Sequence, residues 1–243
     1  HLQFGNPEDP EIFWTFMESI EGITDFAKFL DVPCVGGKVS FYNETSNGPI
    51  KPTPLIGVLG LIENSPLLPT APSNNDVILL VGETKDELGG SEYYEYIHNF
   101  IGGTAPKVDF SESQKNMNSV LSLISKNLVK CAHDCSKGGL AIAISELCVF
   151  GKLGCDVDLT SSLSSEKMLF SESHSRYLLV VDKNNLDEMK SLLSEHNCTF
   201  SELGIFTGDQ ITFKSNSESI LELRVDKAEN NYLNSLGKII QNG

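Results

Sequence analysis

His133-Asp134-Cys135-Ser136-Lys137-Gly138-Gly139, running on into Leu140-Ala141-Ile142-Ala143-Ile144-Ser145-Glu146-Leu147-Cys148, is the stretch from which the fold reads most directly. A polar, glycine-marked entry gives way to Leu140, Ala141, Ile144, Leu147 and Cys148, whose spacing predicts a compact apolar helix. Upstream, Val77-Ile78-Leu79-Leu80-Val81 is an unbroken aliphatic run and predicts a strand. Leu88-Gly89-Gly90-Ser91 marks a turn into a helix over SEYYEYIHNF, and a longer, more polar helix follows over residues 112–129. Downstream come strands near 155–159 and 176–181, a helix near 185–196, and three short strands between 203 and 225. No repeat and no low-complexity tract interrupts this mixture beyond serine enrichment around 161–175, and the class is α+β with α/β-type layers.

Further out, toward the N-terminus, Asp9-Pro10-Glu11 combines a capping side chain, a first-turn proline and an early acid, a strong helix start. Ile12, Phe16, Ile20, Ile23, Ala27 and Leu30 then recur at three and four, one apolar stripe of a helix about 20 residues long. Phe13 and Trp14 widen that stripe toward a second surface. Val32–Val35 and Leu55–Ile62 read as strands, separated by the polar, turn-rich residues 45–53. Three prolines with Ser and Asn pairs in residues 63–75 predict a domain boundary, dividing the chain into 1–72 and 73–243. One helix and about three strands leave sheet edges and a sheet face bare, so the first unit needs further sequence or a partner chain to complete it.

The 243 residues carry 18 basic and 33 acidic side chains, a net charge of −15, and 40% of them are hydrophobic. That field argues against nucleic acid and anionic membrane as partners but not against a phosphorylated small molecule, which amides and a cation hold locally. No apolar run of 18 residues exists to span a bilayer. Of the six cysteines none forms a CxxC pair, which points to reduced, partly buried thiols in a cytosolic protein.

Three runs carry candidate chemistry. Gly36-Gly37-Lys38-Val39-Ser40-Phe41-Tyr42-Asn43-Glu44 offers an ammonium, a hydroxyl, an amide and a carboxylate beside two glycines, a mixture that suits phosphate or metal–phosphate contact and equally suits a glycine bulge with a wet polar face. It is not a Walker loop, because GxxxxGK[ST] spacing is absent. Asp134 and Ser136 stand just before a helix, where free amides favour an anion and Asp134 can hold Mg²⁺; the plainer reading is a helix cap. Phe170-Ser171-Glu172-Ser173-His174-Ser175-Arg176-Tyr177 groups an acid, a histidine and an arginine, yet supplies no partner to orient His174 as a base.

Taken in order, LQFGNPE, GGKVSFYNE, PTPLIGVLGLIE, LGGSEYY, HDCSKGGLAIAISE and FSESHSRYLLVV resemble the phosphoribosylformylglycinamidine synthase family (the formylglycinamide ribonucleotide amidotransferase synthetase subunit), in its C-terminal half, along essentially the whole chain. The resemblance implies the latter part of an ATP-binding-type domain of the aminoimidazole ribonucleotide synthetase-like superfamily, then its companion domain. It implies an ATP-dependent carbon–nitrogen ligase that forms formylglycinamidine ribonucleotide with ammonia from glutamine, in the cytoplasm. ATP and Mg²⁺ would be cofactors. A glutaminase subunit, a small bridging subunit and the missing N-terminal half would be partners, with self-association of this piece expected. By position, Gly37 and Lys38 fall at the ATP, Ser40 at the ribonucleotide substrate, and Asp134 (metal) and Ser136 (nucleotide) at an auxiliary site. Lys38 stands where the family has a Mg²⁺-ligating Asn, and an ammonium supplies charge rather than a ligand; Gln3 also stands where the family has Asn. The family's catalytic histidine lies upstream of His1. A nucleotide-binding scaffold and another member of the superfamily are the competing readings.

Overall fold

The computed structural model describes residues 1–63 and 66–242, and it divides at Glu63/Asn64 into two units. Residues 64 and 65, within the expected boundary stretch, lie outside the described residues.

In the first unit, β1 (Leu2–Gln3) runs parallel to β2 (Val39–Ser40) and antiparallel to β5 (Thr53–Pro54). A small hairpin, β3 (Glu44–Thr45) with β4 (Gly48–Pro49), sits between them in the chain. The 21-residue helix α1 (Pro10–Leu30) begins where expected: Asp9 accepts from the amides of Glu11 and Ile12, a cap worth about 1 kcal/mol. It ends at Asp31 in the left-handed region, φ 54°. Phe4 is buried and meets Phe16 edge-on, with ring centroids 5.4 Å apart, and Phe16 meets Phe41 at 5.0 Å. This aromatic trio is the centre of the unit.

Two expected strands do not form. Residues 32–35 and 55–62 carry no strand, and Val35, Leu59 and Leu61 are each more than nine-tenths exposed. An apolar run becomes a strand only when a neighbour supplies a hydrogen-bonding edge and a face to cover. Here β1 is flanked on both sides already, and neither run finds another edge among the described residues. The α1 stripe tells the same story, since Ile12, Phe16, Ile20, Ile23, Ala27 and Leu30 are only half-buried and no residue of the helix is fully buried.

The second unit is built on a seven-stranded sheet of order β12-β11-β8-β10-β6-β9-β7. Its strands are β6 (Val77–Val81), β7 (Cys131–Asp134), β8 (Cys155–Asp158), β9 (Tyr177–Val181), β10 (Phe200–Phe206), β11 (Gln210–Ser215) and β12 (Glu218–Arg224). All pairings are antiparallel except β8 with β11. Because side chains alternate along a strand, Ile78 and Leu80 face one layer with Leu178 and Val180, while Leu79 and Val81 face the other with Leu179 and Val181. The first layer holds α4 (Gly139–Gly151), α5 (Ser165–Phe170) and the start of α7 (Val225–Asn242). The second holds α3 (Phe110–Ser125) and α6 (Leu186–Glu195). The unit also contains α2 (Glu92–His98) and a 3₁₀ turn, Lys183–Asn185, that leads into α6.

Burial on both faces explains why β6 reads as a continuous aliphatic run rather than an alternating one. All five of its residues are buried, each worth roughly 1.5–3 kcal/mol of transfer free energy. α4 likewise buries Leu140, Ala141, Ile144, Leu147 and Cys148 against the sheet, as the periodicity predicts. No helix among the described residues is long and apolar enough to cross a membrane.

Candidate functional site

The corner at residues 36–44 is built by its attachment to β1. The Leu2 amide donates to Lys38 O at 2.8 Å and the Phe4 amide to Ser40 O at 3.0 Å. Asn43 Nδ2 donates to both Phe4 O and Ser40 O, each at 2.9 Å, and the Asn6 amide donates to Glu44 Oε1 at 2.6 Å. Tyr42 occupies the left-handed region, φ 58°, and its amide reaches Gly5 O at 2.9 Å. Two of the polar side chains singled out in the sequence, Asn43 and Glu44, therefore brace the corner. Asn43 is engaged through both its oxygen and its nitrogen, whereas Glu44 is exposed and is engaged through Oε1.

Besides Glu44 Oε2, what remains is Gly36, Gly37, Lys38 and the Ser40 hydroxyl. Ser40 Oγ donates to Asn43 Oδ1 at 3.2 Å, which leaves its lone pairs as acceptors. Gly36, Gly37 and Lys38 are exposed, and no hydrogen bond or ion pair among the described residues engages the Lys38 ammonium. A Cβ built on Gly36 or Gly37 meets nothing within 4 Å, so nothing inside this unit demands glycine at either position. A groove of about 640 Å³ lies along α1, lined by Ile20, Ile23, Ala27 and Val32 among others. Its lining is mainly apolar and it is open, as expected of a helix face awaiting a cover rather than a site for a charged ligand.

In the second unit Asp134 ends β7 and Ser136 follows in the turn that opens α4. Both are exposed. His133 Nδ1 lies 2.6 Å from Asp134 O and its Nε2 3.3 Å from Glu146 Oε2, which anchors the strand end to α4. Gly138 and Gly139 both take positive φ, 76° and 66°. A Cβ on Gly139 would sit 2.6 Å from Ser171 O and 2.9 Å from Leu169 O, so both the turn and the close approach require glycine there.

Two of the amides at this helix start are already engaged. The Gly138 amide donates to Glu172 Oε1 at 2.8 Å, and the Gly139 amide to Ser136 O at 3.0 Å. An internal carboxylate has taken the place of an outside anion at Gly138. No capping role falls to Ser136 or Asp134, because the residue that opens the helix is Gly138 and it has no side chain to cap with. Asp134 thus presents an exposed carboxylate, its Oδ1 4.0 Å from His133 Nδ1, a hard oxygen donor of the type a divalent cation takes. Among the described residues no group of three or more His, Cys, Asp or Glu side chains gathers around a metal position. A cation at Asp134 would therefore need further ligands from outside these side chains.

The third run resolves into a structural clasp. Arg176 is buried and donates to Ser173 O at 3.0 Å, Thr84 Oγ1 at 2.9 Å and Ser171 O at 2.6 Å. Burial lowers the pKa of its guanidinium from the usual arginine value, opposed by the nearby Cys135, Glu87 and Glu172. Burial also pushes the Cys135 thiol up to about 11. His174 is exposed, and no base-orienting partner for it exists among the described residues.

Residues 73–214 match the family described as AIR synthase related protein, C-terminal domain. The chain belongs to this family. It is also 38% identical, over 99% of its length, to the phosphoribosylformylglycinamidine synthase subunit PurL of Methanococcus aeolicus, and it covers 33% of that relative. The chain thus spans about a third of the length of the curated relatives it matches. Two solved Thermotoga maritima structures share the fold. PurL complexed with FGAR aligns with a TM-score of 0.73 at 17% identity, covering 94% of this chain and 38% of that one. PurL complexed with ATP aligns at 0.67 and 18% identity, covering 94% and 37%. At such identities the likeness is one of fold, and it embraces both units.

Proposed function

We propose that this chain is part of a synthetase that converts formylglycinamide ribonucleotide, ATP and glutamine-derived ammonia into formylglycinamidine ribonucleotide, ADP and phosphate. The observation that carries this reading is homology to subunit PurL across 99% of the chain, in which the motif-bearing corner is left exposed rather than folded inward. In this reaction the glycinamide carbonyl oxygen attacks the γ-phosphorus, the bond to ADP breaks and the amide N–H gives up its proton, leaving an iminophosphate. Ammonia then adds to the activated carbon and phosphate departs with that oxygen. Catalysis of this kind rests on positioning and charge neutralisation.

In this reading the Gly37–Ser40 corner meets the triphosphate and the ribonucleotide once the rest of the protein covers it. Gly37 offers a backbone that a ligand can approach closely. The Lys38 ammonium places positive charge at the phosphates, and the Ser40 lone pairs accept from a substrate hydroxyl or amide. Asp134 and Ser136 form a second, auxiliary nucleotide site. Mg²⁺ bound at Asp134 would neutralise phosphate charge there; the side chains that remain to this chain orient the nucleotide through the Ser136 hydroxyl. A glutaminase subunit supplies ammonia, a small subunit bridges it to the synthetase, and the assembly works in the cytoplasm. The division of labour between residues 1–72, part of an ATP-binding-type domain, and 73–243, its companion, follows from the same reading.

Steady-state ADP formation by the full-length protein tests the proposal. Activity that requires both formylglycinamide ribonucleotide and ammonia is expected in the wild type. Lys38→Ala is expected to lower kcat at least tenfold with the fold intact, the scale of one lost electrostatic clamp. Turnover without the ribonucleotide, or wild-type rates in Lys38→Ala, would set the reading aside.

A further inference from the structure

The loop that carries Asp134 and Ser136 is held at both ends by one short segment, Ser171–Arg176, that links α5 to β9. At the near end the Cys135 amide donates to Arg176 O at 3.1 Å. At the far end Glu172 Oε1 accepts from the Gly138 amide at 2.8 Å and, with the same oxygen, from the Glu92 amide at 2.9 Å. Gly138 opens α4 and Glu92 begins α2, so one carboxylate oxygen rests on the N-terminal amides of two helices, where the backbone dipoles favour negative charge.

The segment is itself fixed from behind. Glu172 N donates to Glu87 O at 3.2 Å, the Glu87 amide to Ser171 Oγ at 3.2 Å and the Lys85 amide to Ser173 Oγ at 3.0 Å. Buried Arg176 ties Ser171 O and Ser173 O together beneath it. On the outer side Lys137 Nζ donates to Glu92 Oε1 at 2.6 Å, closing a ring that runs Glu172, Gly138, Lys137, Glu92. The carboxylate of Glu172 is the one polar side chain of this ring that reaches both helix starts.

We propose that Glu172 is a positioning residue for nucleotide binding: by pinning Gly138 and Glu92 it sets the turn that carries the exposed Asp134 and Ser136 side chains. This rests on the reading of Asp134 and Ser136 as a nucleotide site. It also changes how that site works. With the Gly138 amide committed to Glu172, a phosphate there would be held by Ser136 and by a cation that Asp134 would bind, rather than by that amide.

The test is ADP with Mg²⁺ binding to the full-length protein, followed by calorimetry and by hydrogen exchange of peptides spanning 131–141. Wild-type protein is expected to bind and to protect 131–141. Glu172→Ala is expected to weaken binding at least tenfold and to speed exchange across 92–95 and 131–141 without nucleotide. Glu172→Gln, which keeps an oxygen acceptor at the same reach, is expected to restore affinity to within threefold of wild type. A purely structural role would lower the melting temperature of both variants and leave affinity for ADP with Mg²⁺ unmoved. Affinity within threefold of wild type in Glu172→Ala would overturn the proposal. Should that variant not fold, Glu172→Asp, one methylene short of both amides, takes its place with the same criterion. Asp134→Ala separates the two levels. Tenfold loss there with none at Glu172 sinks the positioning role alone, whereas no protection of 131–141 in wild type sinks the nucleotide reading and this proposal with it.

Discussion

Replacing Arg176 by Met sets two large effects against each other. The guanidinium is buried, makes three hydrogen bonds, and forms no ion pair with a carboxylate among the described residues. Met matches its length and removes the cost of burying a charge, which in other buried ionic sites has left such replacements neutral or stabilising. Against this, Ser171 O and Ser173 O lose their donor in a region where both residues are buried, at about 1–3 kcal/mol for each orphaned carbonyl. Thr84 Oγ1 can turn elsewhere and adds little. The two carbonyls together cost about 2–6 kcal/mol, and relief of the buried charge returns part of that, so a net loss of about 3 kcal/mol is expected. For a chain of this size that corresponds to a melting temperature lower by about 6–12 °C. Circular dichroism melts of wild type, Arg176→Met and Arg176→Lys check it. Lys keeps the charge but not the planar fork, so it should melt at least as low as Met. An Arg176→Met protein melting at or above wild type would show that charge burial outweighs the bonds, and the clasp argument would fail.

Other expectations follow from single sites. In the folded chain at pH 8, iodoacetamide should label exposed Cys34 well before Cys135, whose thiol is shielded and held up near 11; mass spectrometry showing equal rates would refute that shielding. The same shift makes stability depend on pH. Between 9 and about 11 the unfolded chain ionises Cys135 and the folded chain does not, so stability should fall as pH rises, by up to about 1.4 kcal/mol per unit, and Cys135→Ala should flatten that slope in urea melts. Gly204→Ala places a Cβ onto Asp156 O between β10 and β8, and should cost at least about 3 kcal/mol in the same assay. The isolated chain should self-associate through the exposed run Leu55–Ile62; Leu59→Asp with Leu61→Asp should shift sedimentation toward monomer, and an unchanged profile would exclude that surface.

The elements legible in the sequence were those whose cause is local. Asp9-Pro10-Glu11 starts α1 because cap, proline and acid act within one turn, and Val77–Val81 forms β6 because an aliphatic run covered on both faces needs no alternation. Val32–Val35 and Leu55–Ile62 misled for the complementary reason, since their strand character depends on a neighbour that the described residues do not provide. β7 was missed because Cys131-Ala132-His133-Asp134 is short and turns polar at its end. α5 hid in serine-rich sequence, and α7 lacks the apolar density of a core helix because only its first turns pack. At the corner, Asn43 and Glu44 looked like ligand groups, but pairing of residues 38–44 with Leu2–Asn6 gives them bracing work that no local pattern reveals. The bracing role of Glu172 is not legible for the same reason: the sequence groups its acid with His174 and Arg176, but its partners lie 34 and 80 residues away.

The most direct test of the account is hydrogen exchange of residues 36–44 in the full-length protein, with and without AMPPCP, Mg²⁺ and formylglycinamide ribonucleotide. Slowed exchange at Gly37–Ser40 on adding both ligands is the expected result. Unchanged exchange there, while other segments of the same protein become protected, would mean that this corner does not meet the substrates.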